Sequence, residues 1–251
     1  MCTYPMAAKK MRKEHRPFLL KRIVANFTAA WARHFLLPSF DSIGPGYKIL
    51  SPWTVSIFGE NISAGKNLHL LSAHFAPVQL CVWRGEDSNG EIQIGDHCLI
   101  CPGVRLSSAS SITIGDNCMF AYGVYLTDAD WHDIYDRTKS IGATVPIKVG
   151  NNVWFGDNAF VAKGVSIGDN AIIGARAVVV NDVPANCVAA GNPAKVVKQL
   201  DPDHEIKVRA SLFHLSPEDF TRWEASMDKH FTRDNSWLGW LRTVFFPAIR
   251  D

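Results

Sequence analysis

From Val149 onward an aliphatic or aromatic side chain recurs every six residues, at Val149, Phe155, Val161, Ile167, Ile173 and Val179. Four residues after each stands a small one: Val153, Ala159, Val165, Ala171, Ala177 and Val183. A period of six fits neither the 3.6 of a helix nor the alternation of a hairpin strand. It predicts a parallel β-helix in which each hexapeptide is one short strand and three make a triangular coil. The same beat runs earlier through Ile94, Ile100 and Leu106 and, after a two-residue slip, through Ile114, Phe120 and Leu126, with Cys98, Val104, Cys118 and Val124 in the small slots. Glycine follows the ladder residue at Gly95, Gly115, Gly150, Gly156, Gly168 and Gly174, and Asp-Asn or Asn-Asn pairs come next at several of these, so each corner has residues that tolerate unusual backbone angles.

The chain has 251 residues, 47% of them hydrophobic, enough for one sizeable all-β core with additions at both ends. Residues 1–49 are assigned to a helical N-terminal extension, 50–198 to the coil and 199–251 to a helical C-terminal extension. Between Ile43 and Gln93 the pattern is ragged, and Ile62, Leu68, Leu70, Val78, Leu80 and Val82 are read as irregular first coils. After Val197 the period disappears. Ser216-Pro217-Glu218-Asp219 begins a helix with a capping serine and a proline at its first position. A second helix runs from Ser236 to Phe246, and its Trp237, Leu238, Trp240, Leu241, Val244 and Phe245 are read as packing residues.

A net charge of +2 argues against a nucleic-acid partner. Cys98 and Cys118 fall in small core slots, so the thiols are read as compact hydrophobes rather than as a reactive Cys98/Cys101 pair, reduced in the cytoplasm. The basic start at Lys9, Lys10, Arg12 and Lys13 does not continue as a signal peptide, and nothing reads as spanning a bilayer. Residues 18–37 place Leu20, Ile23, Phe27, Trp31 and Phe35 on one helical stripe beside basic residues. A helix packed on the coil or on a neighbouring subunit is preferred there over an interfacial membrane helix at the inner face of the membrane.

The beat stops at Leu126 and resumes at Val149, so residues 127–146 leave the stack as one loop. Repeat folds seldom interrupt a regular stack without a functional reason. This loop carries His132 among Asp128, Asp130, Asp133 and Asp136, an imidazole with carboxylates nearby to raise its basicity and fix its tautomer. Asp128 and Asp130 are its candidate orienters or acceptor contacts.

Val153-Trp154-Phe155-Gly156, Gly164-Val165-x-Ile167-Gly168, Ile173-Gly174-Ala175, Asp182-Val183-Pro184 and Gly191-Asn192-Pro193-Ala194-Lys195 together resemble the hexapeptide-repeat acyltransferases, in particular the maltose and galactoside O-acetyltransferases and those of polysaccharide biosynthesis. The resemblance covers about residues 92–198. It implies a left-handed coil, against the usual right-handed crossover. It also implies homotrimers with acetyl-CoA as acyl donor in a cleft between subunits, His132 as general base, and transfer to a hydroxyl of a sugar or saccharide-like acceptor, with no metal. By position, Trp154, Asp157 and Ala175 match contacts to the pantetheine arm, and Val180, Asn181, Lys195 and Lys198 those to the nucleotide end. Asn181 departs from the family's lysine. Cys101-Pro102-Gly103 departs from an asparagine supplied to the reacting centre.

Two other classes share the coil. One resembles the γ-class carbonic anhydrases, invited by the His69/His74 spacing although no third ligand follows. The other is a non-catalytic assembly protein, for which the His132 loop and the terminal Gly-Asn-Pro-Ala-Lys have no use.

Overall fold

The computed structural model describes residues 14–85, 89–213 and 217–248. It divides into two compact units, residues 28–214 and residues 1–27 with 215–251.

The larger unit is the coil. Its strands are two to five residues long and stack as three sheets, here called the first, second and third faces. On the first face Ile62, Ile92, Ile112 and Ile147 stand in parallel register. On the second, Leu70, Ile100, Phe120, Phe155, Ile173 and Ala189 do so. On the third, Leu80, Leu106, Leu126, Val161 and Val179 complete the core. Every ladder and small-slot residue predicted from the six-residue beat is buried. So are the six apolar residues of the irregular first coils. The rings of Phe120 and Phe155 stack 4.6 Å apart in successive coils. The coil winds left-handed. The right-handed rule describes a twisted strand feeding a helix that packs back on the same sheet; here the connection between neighbours in a sheet is two further short strands, one on each of the other faces.

The coil begins before the boundary drawn at residue 50: the first strand is Ser42–Ile43, the second, Lys48–Leu50, straddles that boundary, and Ile49 is already part of the core. At the far end Cys187–Ala190 pairs antiparallel with Lys195–Gln199, which turns the chain back on the second face.

The unusual corner angles expected from the sequence are present, but they fall on the residues after the glycines, the asparagines of the Asp-Asn and Asn-Asn pairs among them, and not on the six glycines. None of them has a positive φ; the left-handed residues lie two positions later, at His97, Asn117, Asn152, Asn158, Asn170 and Arg176. Asparagine tolerates that region, and its amide then bonds along the stack, as from Asn152 to Asn170 at 2.9 Å and from Asn170 to Asn186 at 2.8 Å. Glycine is needed for close approach instead. A Cβ on Gly115 would lie 2.7 Å from the carbonyl carbon of Gly150 in the next coil. Gly115→Ala should therefore cost about 1–3 kcal/mol in urea unfolding, as overpacking does elsewhere. Ile167→Ala, removing a side chain only 3% exposed, should cost about 2–5 kcal/mol in the same measurement.

Cys98 and Cys118 are fully buried, with their thiols 3.3 and 3.2 Å from the carbonyl oxygens of Gly115 and Gly150. The hydrogen bond with Cys98, and then burial, push the Cys118 thiol far above its ordinary range. Burial also raises Cys101.

The smaller unit contains most of α1 (Phe18–Trp31), together with α2 (Pro217–Phe231) and α3 (Trp237–Phe245). The expected capping residue of α2, Ser216, lies outside the described residues, as do Lys9, Lys10, Arg12 and Lys13. Lys21 on α1 pairs with Asp228 on α2 at 2.5 Å. Asn235 holds the carbonyls of Glu14 and Arg16 at 2.6 and 2.9 Å. Ser236 caps α3, accepting from the Gly239 amide at 3.0 Å. The reading of the α3 residues as packed is corrected: α3 buries none of its residues, and Leu238 and Phe245 are 81% and 69% exposed.

Candidate active site

The excursion leaves the third face after Tyr125–Thr127 and returns on the first face at Ile147–Val149, so it stands on the corner between them. Its root is Asp128, which is fully buried. The carboxylate accepts from the Ser108 hydroxyl at 2.6 Å, the Ala109 amide at 2.7 Å and the Ser110 amide at 3.0 Å. Those residues are the widened turn that produces the two-residue slip in the repeat. Asp128 thus fills the corner that the irregular hexapeptide leaves open.

Above this root the arm is a narrow two-stranded stem. Asp130 N–H donates to the Ala143 carbonyl at 2.9 Å and Gly142 N–H to the Asp130 carbonyl at 2.8 Å. A side chain on Gly142 would strike the His132 carbonyl, 2.6 Å from its Cβ position, so the stem closes only with glycine there. The tip is built from turns. Asp133 accepts from the amides of Tyr135 and Asp136 at 2.8 and 2.9 Å, and Asp136 from Thr138. The amide of Asp136, then that of Tyr135, hold the Asp133 carboxyl below its usual range; the Thr138 hydroxyl does the same for Asp136. Asp130 pairs with Lys163 at 2.7 Å.

None of the four neighbouring carboxylates is therefore bonded to the imidazole. His132 is exposed, and its Nδ1 lies 3.2 Å from the Lys139 carbonyl oxygen. A carbonyl only accepts, so this bond places the proton of the neutral ring on Nδ1 and leaves the Nε2 lone pair facing outward. The expectation that an aspartate fixes the tautomer is corrected: a backbone carbonyl does.

Five side chains that the sequence reading passed over, Trp131 on the arm and Trp83, Arg105, Tyr125 and Lys163 on the coil, hold the arm against the third face. Trp131 Nε1 donates to the Tyr125 hydroxyl at 3.3 Å, and the Trp131 ring meets Trp83 edge-on at 5.9 Å. Arg105 donates to the same hydroxyl at 2.9 Å, with its guanidinium 4.1 Å above the Tyr125 ring. Lys163 completes the set through Asp130. The signal was available, because Arg105 and Tyr125 occupy outward positions one coil apart; what sequence lacked was the fold-back of the arm.

The matched positions fall on three separate parts of one chain. Val180 and Asn181 follow Val178–Val179 on the third face and share the corner of the His132 arm, two coils along the stack. Asp157 and Ala175 lie at the corner between the second and third faces; the Ala175 amide nitrogen is 2.6 Å from where a Gly156 Cβ would stand. Trp154, 47% exposed, lies on the second face. Lys195 and Lys198 are exposed on the return strand of that same face, opposite Ala190 and Val188. The second face is across the coil from the corner that carries His132.

His69 is occupied by other contacts: Arg209 lies 3.5 Å from its Nδ1 and the Phe213 ring 5.4 Å away, while His74 is exposed. Among the described residues no three His, Cys, Asp or Glu side chains are gathered as metal ligands. A shallow hollow on the first face, lined by residues that include Lys148, Ser166, Asp169, Asp182 and Pro184, contains none of the matched positions.

Family models match two stretches of the coil, "Hexapeptide repeat of succinyl-transferase" at residues 91–128 and "Bacterial transferase hexapeptide (six repeats)" at residues 146–181. The protein named "Putative colanic acid biosynthesis acetyltransferase WcaF" of Escherichia coli K12 is 37% identical over 174 residues, 66% of this chain and 74% of that one. The chain belongs to the hexapeptide-repeat acyltransferase family. Galactoside O-acetyltransferase of the same organism is 40% identical over 141 residues, 55% of this chain; the chain spans only 57% of that relative's length. Among solved structures, AntD, an N-acyltransferase from Bacillus cereus in complex with dTDP and 3-hydroxybutyryl-CoA, is similar in fold, with a TM-score of 0.53 at 18% identity over 76% of this chain and 93% of that one. The two family models, at residues 91–128 and 146–181, leave the His132 arm between them uncovered, so the role of that arm is argued from its own geometry.

Proposed function

We propose that the protein is an acyl-CoA-dependent O-acetyltransferase acting on a hydroxyl of a saccharide. The observation that carries this is His132, held by the Lys139 carbonyl on an exposed arm with Nε2 free to accept a proton. As the acceptor oxygen attacks the thioester carbonyl carbon, Nε2 takes the hydroxyl proton; the C–O bond forms, the C–S bond breaks, and the imidazolium returns the proton to the leaving thiolate. A backbone N–H stabilises the oxyanion. No covalent intermediate on the protein is required.

The working unit in this reading is a homotrimer in the cytoplasm. In their own chain Trp154 lies on the face opposite the His132 corner, and Asp157 and Ala175 lie at a different corner, so in this reading the matching edge of a second copy is brought to His132. Lys195 and Lys198 then hold phosphates as mobile point charges, and Val180 and Asn181 line the nucleotide end. The names of the relatives, a galactoside acetyltransferase and one of colanic acid biosynthesis, support a sugar hydroxyl as acceptor.

The test combines titration of acetyl-CoA into the purified protein with an assay of thiol release in the presence of galactosides and oligosaccharides. Saturable donor binding and one thiol released per acetylated acceptor are expected from a trimer in sedimentation. A trimer that binds no acyl-CoA would instead support the assembly-protein reading.

A further inference from the structure

We infer that the smaller unit, residues 1–27 with 215–251, is a docking surface for an anionic phospholipid bilayer. This does not rest on the transferase reading, since the residues involved lie outside the coil.

Each of its three helices exposes large apolar side chains. On α1 Ile23 and Phe27 are 52% and 61% exposed; on α2 Phe231 is 66% exposed; on α3 Leu238 and Phe245 are exposed as noted, and Phe246 follows at 76%. Neither α1 nor α3 buries a single residue. A soluble monomer seldom presents so much aromatic and aliphatic surface without a partner for it. No helix among the described residues is long and apolar enough to cross a membrane. The helices are thus suited to lie in an interface rather than to span it.

Charge identifies the partner. The first 27 residues contain Lys9, Lys10, Arg12, Lys13, Arg16, Lys21 and Arg22 against the single acid Glu14, a net +6 in a chain whose total is +2. The remainder is acidic on balance, so the excess is concentrated in the sequence that leads into and begins α1. Arg16 pairs with Glu14 and Lys21 with Asp228; the other five, Lys9, Lys10, Arg12, Lys13 and Arg22, precede or begin an amphipathic helix, the pattern that anionic headgroups attract, while the Phe and Leu side chains enter the acyl boundary. An uncharged apolar partner would have no use for the cluster.

The full-length chain should float with vesicles of phosphatidylglycerol and phosphatidylcholine in equal parts, and should remain unbound with phosphatidylcholine alone. Raising the salt from about 0.1 to 0.5 M should release most of it, because screening shortens the reach of the basic cluster. The variant combining Ile23→Glu, Phe27→Glu, Leu238→Glu and Phe245→Glu should lose at least about tenfold in bound fraction, with unchanged circular dichroism and sedimentation. Absence of flotation with the anionic vesicles overturns the proposal. So does equal binding to neutral vesicles. A change in sedimentation of the variant without loss of flotation would make the face a contact between copies of the chain and would also overturn it.

Discussion

Acetyl transfer by the His132→Ala protein should fall about 10²–10⁴-fold at saturating donor, with the Kd for acetyl-CoA left within about twofold. The split between turnover and binding is the informative part. His132 stands on the corner between the third and first faces, bonded to the Lys139 carbonyl, so its removal deletes a proton acceptor and leaves Trp154, Asp157 and Ala175 undisturbed on other parts of the coil. His132→Gln, which keeps a donor toward Lys139 but has no basic nitrogen, should be as inactive as alanine. Steady-state rates with a galactoside acceptor, paired with calorimetric donor titration, check both statements. Wild-type turnover in either variant would remove the imidazole from the chemistry.

The second large effect is on stability. Asp128→Ala should lower the unfolding free energy by about 3–5 kcal/mol, because it strands the Ala109 and Ser110 amides and the Ser108 hydroxyl in a turn where Ser108 and Ala109 are fully buried. Asp128→Asn keeps one accepting oxygen and should lose only about 1–2 kcal/mol. Urea unfolding followed by circular dichroism measures the difference. Asp128→Ala should also loosen the arm, because the carboxylate bonds to Ser108, Ala109 and Ser110 fix the position of residue 128, to whose backbone carbonyl the Val145 amide donates at 2.9 Å where the excursion rejoins the coil. Activity lost in Asp128→Ala at temperatures where it remains folded, with acetyl-CoA still bound, is the expected signature. An alanine variant as stable as the parent would mean that water replaces the carboxylate in the corner.

These two residues show how unevenly a site can be read from its chain. His132 was conspicuous because it lies in the one long break of a regular beat. Asp128 is four residues away in the same acidic run, and by composition it looked like a partner for the imidazole. The run in fact divides its duties: Asp128 roots the arm, Asp130 binds Lys163, and Asp133 and Asp136 accept hydrogen bonds that shape the tip. Which carboxylate serves which purpose depends on where the arm folds, and no spacing rule carries that. The tautomer of His132 was likewise invisible, because its partner is a backbone carbonyl and carbonyls leave no mark on a sequence.

The corner glycines carry the same lesson in the backbone. Their recurrence was plain, and so was the need for a residue without a Cβ. Two explanations, a left-handed angle and a close approach between coils, predict the same letter. Only the stacked structure separates them, by putting the carbonyl carbon of Gly150 at 2.7 Å from the missing Gly115 Cβ and the left-handed angle on Asn117 instead.

By itself the sequence determined the coil, because a six-residue hydrophobic period is a local code: each inward side chain needs only the equivalent residues of the coils before and after it, and these recur at fixed intervals along the chain. It also located the excursion, as an interval where that code falls silent. The tertiary structure decided the rest: the sharing of four aspartates, the carbonyl that orients His132, the Arg105–Tyr125–Trp131 support and the distribution of matched positions over opposite sides of the coil. Each of these is a contact between residues whose distance in space is set by how the coils stack and the arm folds back, and such distances have no period to read.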